Sequence, residues 1–315
     1  MAGLINGLHH VTAIAADPQK NIDFYLGVLG LRLIKKTVNF DAPNVYHLYY
    51  GDAIGSPGSI MTFFPYGNIQ KGKKGIGQLT TTSFSIANDS LGFWMERLNN
   101  LKISYNGPEQ RGDEEFIKFE DHDGLSLELV ANSKDLRMGW ENEVIPLKHA
   151  IKGFYSVSLT LSRIEPTAAL LTEIMEYKTV TTDLNYIRLE VGQGGPGNYI
   201  DLTLQEGGEK PQSGAGIIHH VAFSTDNDET QLKIKEKLED AGMQVTEVMD
   251  RQYFHSIYFR EPGGVLFEVA TNPPGFAIDE DEAHLGESLK LPPWQEKNRE
   301  MIERNLKTIK MPVFT

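Results

Sequence analysis

The stretch GIIHHVAF at residues 216–223 repeats, with small changes, the stretch GLHHVT at residues 7–12. Both stretches read as strands. A carboxylate, Glu268, follows His220 at a distance of 48 residues, within the apolar stretch GVLFEVA. Two histidines and one carboxylate on strands form the ligand set of a mononuclear non-haem iron(II) site. The repeat therefore predicts one metal site that draws its ligands from both ends of the chain.

Side chains alternate between the two faces of a strand, and this decides which histidine of each pair faces the site. His219 falls on an apolar face suited to packing under a helix, whereas His220 falls on a smaller and more polar face. The same alternation separates His9 from His10. We therefore predict His10 and His220 as ligands. For either pair alone, the alternative is a hydrogen-bonded structural histidine, and the repetition favours the metal site.

Composition and charge narrow the class of protein. The 315 residues suffice for two domains, and 40% of them are hydrophobic, enough to build buried cores. The net charge of -13 argues against nucleic acid or an anionic membrane as a partner, because either would repel the chain. No apolar run approaches the roughly 20 residues that span a bilayer, and the first residues, MAGLING, lack a signal-peptide pattern. We expect a cytoplasmic protein.

The chain contains no cysteine. This excludes disulfides, thiolate metal ligands and a cysteine nucleophile. Any metal must therefore be held by nitrogen and oxygen, and such a ligand set accepts several divalent ions.

Four segments of the sequence each read as one strand, one helix and then three strands, which predicts a repeat architecture. The first helix has clear signals: Asp17 as N-cap, Pro18 at the first helical position and Gly30 as the stop. We predict an α+β fold in which the four βαβββ modules pair into two domains. The predicted boundaries are 1–133 for the N-terminal domain, 134–152 for a linker, 153–272 for the C-terminal domain and 273–315 for a C-terminal extension.

Aligning the closing strands of the four segments on their first glycine sets Thr62, Glu128 and Asp201 level with Glu268. The opening strands supply histidines only in the first and fourth segments, with Ser156 at this position in the third. One metal can therefore collect all three ligands only if the first segment lies against the fourth. The carboxylates of the two middle segments are more simply structural or surface residues.

The four segments, the HHVT and HHVA starts and the closing stretch YFREPGGVLFE at residues 258–268 resemble the vicinal oxygen chelate superfamily of glyoxalases, bleomycin resistance proteins and extradiol dioxygenases. Tyr258, Arg260 and Glu268 match the tyrosine, arginine and ligand glutamate of the ring-cleaving dioxygenases. Three further stretches resemble the branch that opens para-hydroquinones, namely YHLYY at 46–50, GSPGSIMTFFP at 55–65 and DEDEAHLG at 279–286. The resemblance covers essentially the whole chain.

This resemblance implies an Fe(II)-dependent dioxygenase that inserts O2 into a hydroquinone or catechol ring, in the degradation or detoxification of aromatic compounds or quinones. It implies His10, His220 and Glu268 as metal ligands, although other divalent metals are able to occupy this set in the isolated protein. Thr62 stands where glyoxalases place a fourth ligand, so three positions of an octahedral metal stay open.

We predict roles for further residues around this metal centre. In the resembling enzymes, a tyrosine at the position of Tyr258 hydrogen-bonds the substrate or the bound oxygen. Arg251 and His255 are candidates to stabilise charge or deliver a proton, against the alternative that both lie in a solvated loop. His9, His219 and Thr12 are candidates to orient the ligands. His47 and Tyr46 alternate on a strand and could line the cup of the site, but we assign them to the core, because aromatic residues on strands are mostly core.

Two other functions stay open. One is a redox-silent isomerase or lyase of the same superfamily that holds zinc, nickel or manganese. The other is a binding protein that sequesters a small aromatic compound or an antibiotic, since a fold does not fix a function. The missing fourth ligand weighs against the first, and the complete metal triad weighs against the second. The predicted partners are a small aromatic substrate and O2, and the sequence leaves open whether the chain forms a homo-oligomer.

Overall fold

The computed structural model describes residues 3–312, which form an α+β fold of sixteen strands and five α-helices. The strands are β1 (Leu8–Ala15), β2 (Arg32–Asn39), β3 (Ala42–Gly51), β4 (Ile60–Pro65), β5 (Gln78–Ala87), β6 (Tyr105–Arg111), β7 (Glu114–Glu120), β8 (Ser126–Asn132), β9 (Gly153–Leu161), β10 (Lys178–Asp183), β11 (Tyr186–Glu190), β12 (Tyr199–Leu204), β13 (Ile217–Thr225), β14 (Met249–Asp250), β15 (Phe254–Arg260) and β16 (Leu266–Pro274). The helices are α1 (Pro18–Ile22), α2 (Leu91–Asn100), α3 (Glu165–Glu173), α4 (Asp228–Asp240) and α5 (Arg299–Asn305). Within this range no helix has the length and apolar character needed to cross a membrane.

The four predicted modules appear as β1–β4, β5–β8, β9–β12 and β13–β16, each with a helix after its first strand. They form two eight-stranded sheets, in the orders β14-β15-β16-β13-β1-β4-β3-β2 and β10-β11-β12-β9-β5-β8-β7-β6. The first sheet therefore joins the fourth module to the first, which confirms that predicted pairing. The second sheet joins the third module to the second. Each sheet thus spans both halves of the chain, and the domain boundaries at 133 and 153 stay a prediction.

The seam of the first sheet lies between β1 and β13, which pair antiparallel. His10 lies opposite Ala222, and Thr12 lies opposite His220. Each histidine therefore faces the residue two places after the other histidine. This register gives the first and fourth modules the relationship of an approximate two-fold axis.

The neighbouring strands follow the same symmetry. β4 runs parallel to β1 with Thr62 beside Thr12, and β16 runs parallel to β13 with Glu268 beside Ala222. Thr62 therefore occupies the position in the first module that Glu268 occupies in the fourth. The alignment of the closing strands in the sequence predicted this equivalence.

Local signals set the first helix as the sequence predicted. The Asp17 side chain accepts hydrogen bonds from two backbone amides of the first turn, and Pro18 occupies the first helical position. The helix continues as a π-helix over Asp23–Val28. Gly30 follows with φ of 65°, a left-handed conformation that favours glycine at helix ends.

The C-terminal extension packs against the first module of the same chain. Lys35 on β2 is fully buried, and its Nζ lies 2.6 Å from both Asp279 Oδ1 and Glu280 Oε2 of the extension. A β-bridge also joins Lys36 to Leu289. Within the extension, a 3-10 turn at Glu296–Asn298 leads directly into α5.

Candidate metal centre

His10, His220 and Glu268 meet at the seam of the first sheet, where β1, β13 and β16 lie side by side. His10 Nε2 is 3.2 Å from His220 Nε2 and 3.3 Å from Glu268 Oε2, and His220 Nε2 is 2.9 Å from the same oxygen. All three side chains are buried. Over residues 3–312 this is the one group of at least three histidine, cysteine or acidic residues with ligand atoms within 4.8 Å of one another.

Glu268 carries the negative charge of this group. Burial opposes its ionisation, but the neighbouring His10 and His220 outweigh burial and hold the pKa of the carboxyl well below its usual range. Oε1 accepts a hydrogen bond from the Ser256 hydroxyl, whereas the buried Oε2 lies against the Nε2 atoms of His10 and His220 and has no other hydrogen-bond partner among the described residues. A buried carboxylate oxygen without a donor is costly unless a cation balances it. The residues present therefore fit a divalent metal ion.

The outer ring nitrogens of the two candidate ligands have histidine neighbours. His9 Nδ1 lies 3.0 Å from His10 Nδ1, and His219 Nδ1 lies 2.7 Å from His220 Nδ1. Burial, and then the adjacent His10, lowers the pKa of His9 to about 3. A neutral His9 can therefore accept a hydrogen bond from the Nδ1–H of His10, which leaves the Nε2 lone pair of His10 directed at the site. This geometry matches the orienting role predicted for His9 and His219.

His10 and His220 line a cavity of about 410 Å³ in the first sheet. A cavity of this size accommodates a small ring compound. Half of the sixteen residues that line it are aromatic or aliphatic: Phe40, Tyr49, Phe64, Tyr66, Met249, Phe254, Tyr258 and Leu266. The centre thus combines a polar ligand set with a largely apolar approach.

Tyr258 and Arg251 also line this cavity, close to the candidate ligands. Tyr258 lies opposite Glu268 on the adjacent strand, and its ring centroid is 5.8 Å from that of His220. Burial, and then the nearby Glu268, raises the pKa of Tyr258, so its hydroxyl stays protonated at neutral pH. Arg251 Nε donates to this hydroxyl at 3.3 Å, and Arg251 Nη1 lies 3.3 Å from Asp41 Oδ2.

The structure does not bring His255 to the centre, which corrects the sequence-based assignment. Ser256 and Tyr258 point to the same face of β15 as the ligands, so the alternation of side chains turns His255 to the opposite face. There His255 Nδ1 lies 2.6 Å from Asp228 Oδ1, in the first turn of α4. His255 is 37% exposed and does not line the cavity.

His47, which the sequence analysis assigned to the core in preference to the site, lines the cavity. Its Nε2 lies 2.9 Å from Thr62 Oγ1, and its Nδ1 lies 2.8 Å from the Tyr49 hydroxyl. A further alignment, of the third strands of the first and fourth modules, would have set Tyr49 level with Tyr258. It would thereby have placed His47 on the side of the strand that faces the cavity. Tyr46, in contrast, is buried in the main hydrophobic core as expected.

The second sheet has ion pairs at the equivalent positions. Asp201 lies 2.6 Å from Arg188 Nε, and Glu128 lies 3.3 Å from Lys118 Nζ. Ser156 stands where the fourth module has His220. The carboxylates of the middle modules are therefore satisfied by cations of their own sheet, in agreement with the structural role predicted for them.

Four βαβββ modules around a nitrogen and oxygen ligand set define a class of metal-dependent enzymes. Sequence comparison agrees, because the model of the Glyoxalase/Bleomycin resistance protein/Dioxygenase superfamily matches residues 7–129 and 184–269. The chain belongs to this superfamily.

Relatives within the superfamily narrow the class. MhqO of Bacillus subtilis (strain 168), described as a candidate ring-cleaving dioxygenase, is 43% identical over 306 residues, which cover 97% of each chain. The chlorohydroquinone/hydroquinone 1,2-dioxygenase of Sphingobium indicum is 33% identical over 312 residues, which cover 96% of each chain. The predicted enzyme class, a ring-cleaving dioxygenase that incorporates O2, is confirmed by these relatives.

Solved structures agree with this placement. The crystal structure of a candidate dioxygenase from Bacillus subtilis has a TM-score of 0.95 at 41% identity, with 99% of this chain and 100% of that chain covered. Glyoxalase I from Zea mays has a TM-score of 0.62 at 18% identity, with 84% of this chain and 92% of that chain covered. The second similarity concerns the fold alone.

Proposed function

We propose that this protein is an Fe(II)-dependent dioxygenase that opens the ring of a hydroquinone with O2, and that His10, His220 and Glu268 hold the metal. The observation that carries the proposal is the approach of three ligand atoms from three strands, two of them on histidines that line a cavity with aromatic residues in its wall. The buried Glu268 Oε2, which has no hydrogen-bond partner among residues 3–312 besides the two candidate ligand imidazoles, supports it, because a metal ion would balance that oxygen.

Iron would suit this ligand set, because His10, His220 and Glu268 would hold it through three ligands and leave coordination positions for substrate and O2. When bound, iron(II) supplies the redox and Lewis-acid chemistry that joins the aromatic ring to O2. The protein side chains supply the remaining requirements: they hold the ligands, orient the ring and exclude water. A pair of neutral imidazoles with a single carboxylate also leaves the centre with net positive charge, which favours a phenolate form of the substrate.

Tyr258 and Arg251 have polar roles at the substrate in this proposal. The buried Tyr258 hydroxyl keeps its proton because its pKa is raised, so it acts as a hydrogen-bond donor to a substrate oxygen. Arg251 stays positively charged and directs the Tyr258 hydroxyl through the contact at 3.3 Å. A fixed donor and a fixed cation beside a developing anion stabilise it without reorganisation of solvent.

Two observations support a hydroquinone as the substrate. Half of the residues that line the cavity are aromatic or aliphatic, as expected for a site that binds a flat apolar ring with few polar groups. The relative from Sphingobium indicum, with similarity over 96% of this chain, is named for chlorohydroquinone and hydroquinone. Catechols are the neighbouring substrate class, with two adjacent hydroxyl groups instead of two opposite ones.

The test is anaerobic reconstitution with iron(II), followed by oxygen consumption and ultraviolet absorbance with methylhydroquinone and catechol in parallel. The proposal predicts oxygen uptake in equal amounts to the ring consumed, with loss of the aromatic band, and a faster reaction with methylhydroquinone. A faster reaction with catechol would overturn the substrate class. Metal binding without oxygen uptake for either ring would favour an isomerase or a sequestering protein.

A further inference from the structure

The approximate two-fold axis relates more residues than the candidate ligands. Tyr49 lies opposite Thr62 on β3 and β4, as Tyr258 lies opposite Glu268 on β15 and β16. The residues two places before the two tyrosines therefore form a further equivalent pair. His47 fills this position in the first module, and Ser256 fills it in the fourth.

Both members of this pair hydrogen-bond the residue at the ligand position of their own module. The Ser256 hydroxyl donates to Glu268 Oε1, and His47 Nε2 lies 2.9 Å from Thr62 Oγ1. The two modules differ in which of these two side chains is the larger one. The fourth module combines a long carboxylate with a small serine, whereas the first combines a short threonine with a large imidazole.

The His47 ring is held firmly in this place. Its centroid lies 4.0 Å from that of Tyr49 and 4.3 Å from that of Phe64. Tyr49 contacts one ring nitrogen and Thr62 the other, at 2.8 and 2.9 Å. Thr62 in turn contacts the Thr12 hydroxyl at 2.8 Å. The imidazole is therefore held through both ring nitrogens and by two aromatic neighbours, and it lines the same cavity as His10 and His220.

We propose that His47 fills the space that a fourth metal-ligating carboxylate would need at position 62, and that the His47–Thr62 pair keeps this side of the centre free for exogenous ligands. The inference rests on the metal ligands of the proposed function. It makes His47 a positioning residue, because it determines which side of the metal centre lacks a protein ligand. Thr62 alone does not explain the gap, since the imidazole also excludes a longer side chain there.

The test compares the parent with His47→Ser, Thr62→Glu and the double variant that carries both substitutions. The double variant copies the Ser256 and Glu268 pair of the fourth module into the first. Manganese(II) serves as the probe, since its binding is measured by calorimetry and its bound waters by paramagnetic resonance in labelled water. Neither measurement requires ring cleavage, so failure of the proposed reaction leaves both readouts intact. A parent that binds no manganese(II) would instead refute the metal site itself.

A new carboxylate ligand should tighten manganese(II) binding by at least about tenfold, because outer partners of ligands alone change affinity by about 10- to 100-fold. We expect this gain, with one bound water fewer, in the double variant only. Thr62→Glu alone should bind manganese(II) no more tightly than the parent, because the imidazole occupies the space of the new carboxylate. His47→Ser alone should keep the number of bound waters of the parent.

Two results would overturn the inference. The first is an equal gain in affinity for Thr62→Glu alone and for the double variant, because His47 would then exclude nothing. The second is a double variant with the affinity and water count of the parent. Circular dichroism reports on folding, and if the double variant does not fold, the shorter pair His47→Ala and Thr62→Asp tests the same exclusion with the same two outcomes.

Discussion

His10 Nε2 lies 3.2 Å from His220 Nε2, although the two residues are 210 positions apart in the chain. The antiparallel seam between β1 and β13 creates this contact. The candidate metal centre therefore exists only when the first and fourth modules have joined. Metal binding should in turn favour the joined state, because a ligand that binds the folded form stabilises it.

Removing any one ligand should abolish metal retention. We expect His10→Ala, His220→Ala and Glu268→Ala each to weaken iron(II) binding by more than about 100-fold, since outer partners alone contribute about 10- to 100-fold. Metal content after dialysis, with circular dichroism as a check on folding, measures this. The control is His284→Ala, because His284 is 65% exposed in the extension. Full iron occupancy in His10→Ala would refute a site shared between modules.

Tyr258→Phe should keep the metal and slow turnover. Loss of one preorganised hydrogen-bond donor costs about 100-fold or more in kcat, and we expect an effect of this order. Tyr177→Phe is a matched control, because the buried Tyr177 hydroxyl has no hydrogen-bond partner among the described residues. Steady-state kinetics of the two variants checks the prediction. Unchanged turnover in Tyr258→Phe would remove this hydroxyl from the reaction.

His255→Gln should leave turnover unchanged within about twofold, a difference of less than about 0.5 kcal/mol in activation free energy. The residue contacts Asp228 on the face of β15 opposite to the ligands. Its contact with Asp228 is partly exposed, so stability should change by less than about 1 kcal/mol. Kinetics at neutral pH and urea unfolding test both statements. A drop in turnover with intact stability would contradict the placement of His255.

Stability should depend on pH through the contact between Lys35 and Glu280. Burial opposes ionisation of Glu280, but hydrogen bonds from Lys35 and Ser288 outweigh it and lower the pKa of the carboxyl below its usual value of 4.5. A lowered pKa in the folded state stabilises the fold above pH 4.5, and this gain disappears as pH falls through the folded value.

Glu280→Gln should therefore lower the free energy of unfolding by about 1–3 kcal/mol at pH 7, the contribution typical of a hydrogen bond to a charged group. The difference from the parent should shrink as pH falls below the usual pKa of glutamate. Urea unfolding at several pH values measures it, with the exposed Glu282→Gln as control. A difference that is constant over this pH range would refute the assigned role of the carboxylate.

Much of the site was predictable because it follows from a period of two along strands and from an internal repeat. Alternation selected His10 and His220, and the closing stretch that resembles the ring-cleaving dioxygenases indicated Glu268, which the structure brings close to both histidines. The predicted pairing of the first module with the fourth is confirmed by the seam. These features depend on local sequence and on one symmetry, so they could be derived without coordinates.

Other features depended on information that the sequence alone did not yield. The face of His255 depends on the register of β15, where the pairing with β16 shifts between Phe254 and Ser256. The exposure of His47 to the cavity depends on side-chain packing across β3 and β4, which an aromatic strand composition does not reveal. The packing of the C-terminal extension against the first module became clear only from the structure, in which the buried Lys35 contacts Asp279 of the extension.

The most direct test of the central claim is turnover of methylhydroquinone by the iron(II) protein under isotopically labelled dioxygen, with the product analysed by mass spectrometry. A ring-cleaving dioxygenase places both atoms of one O2 molecule in the ring-opened product, and this is the predicted result. An intact quinone without label, formed together with hydrogen peroxide, would contradict the account.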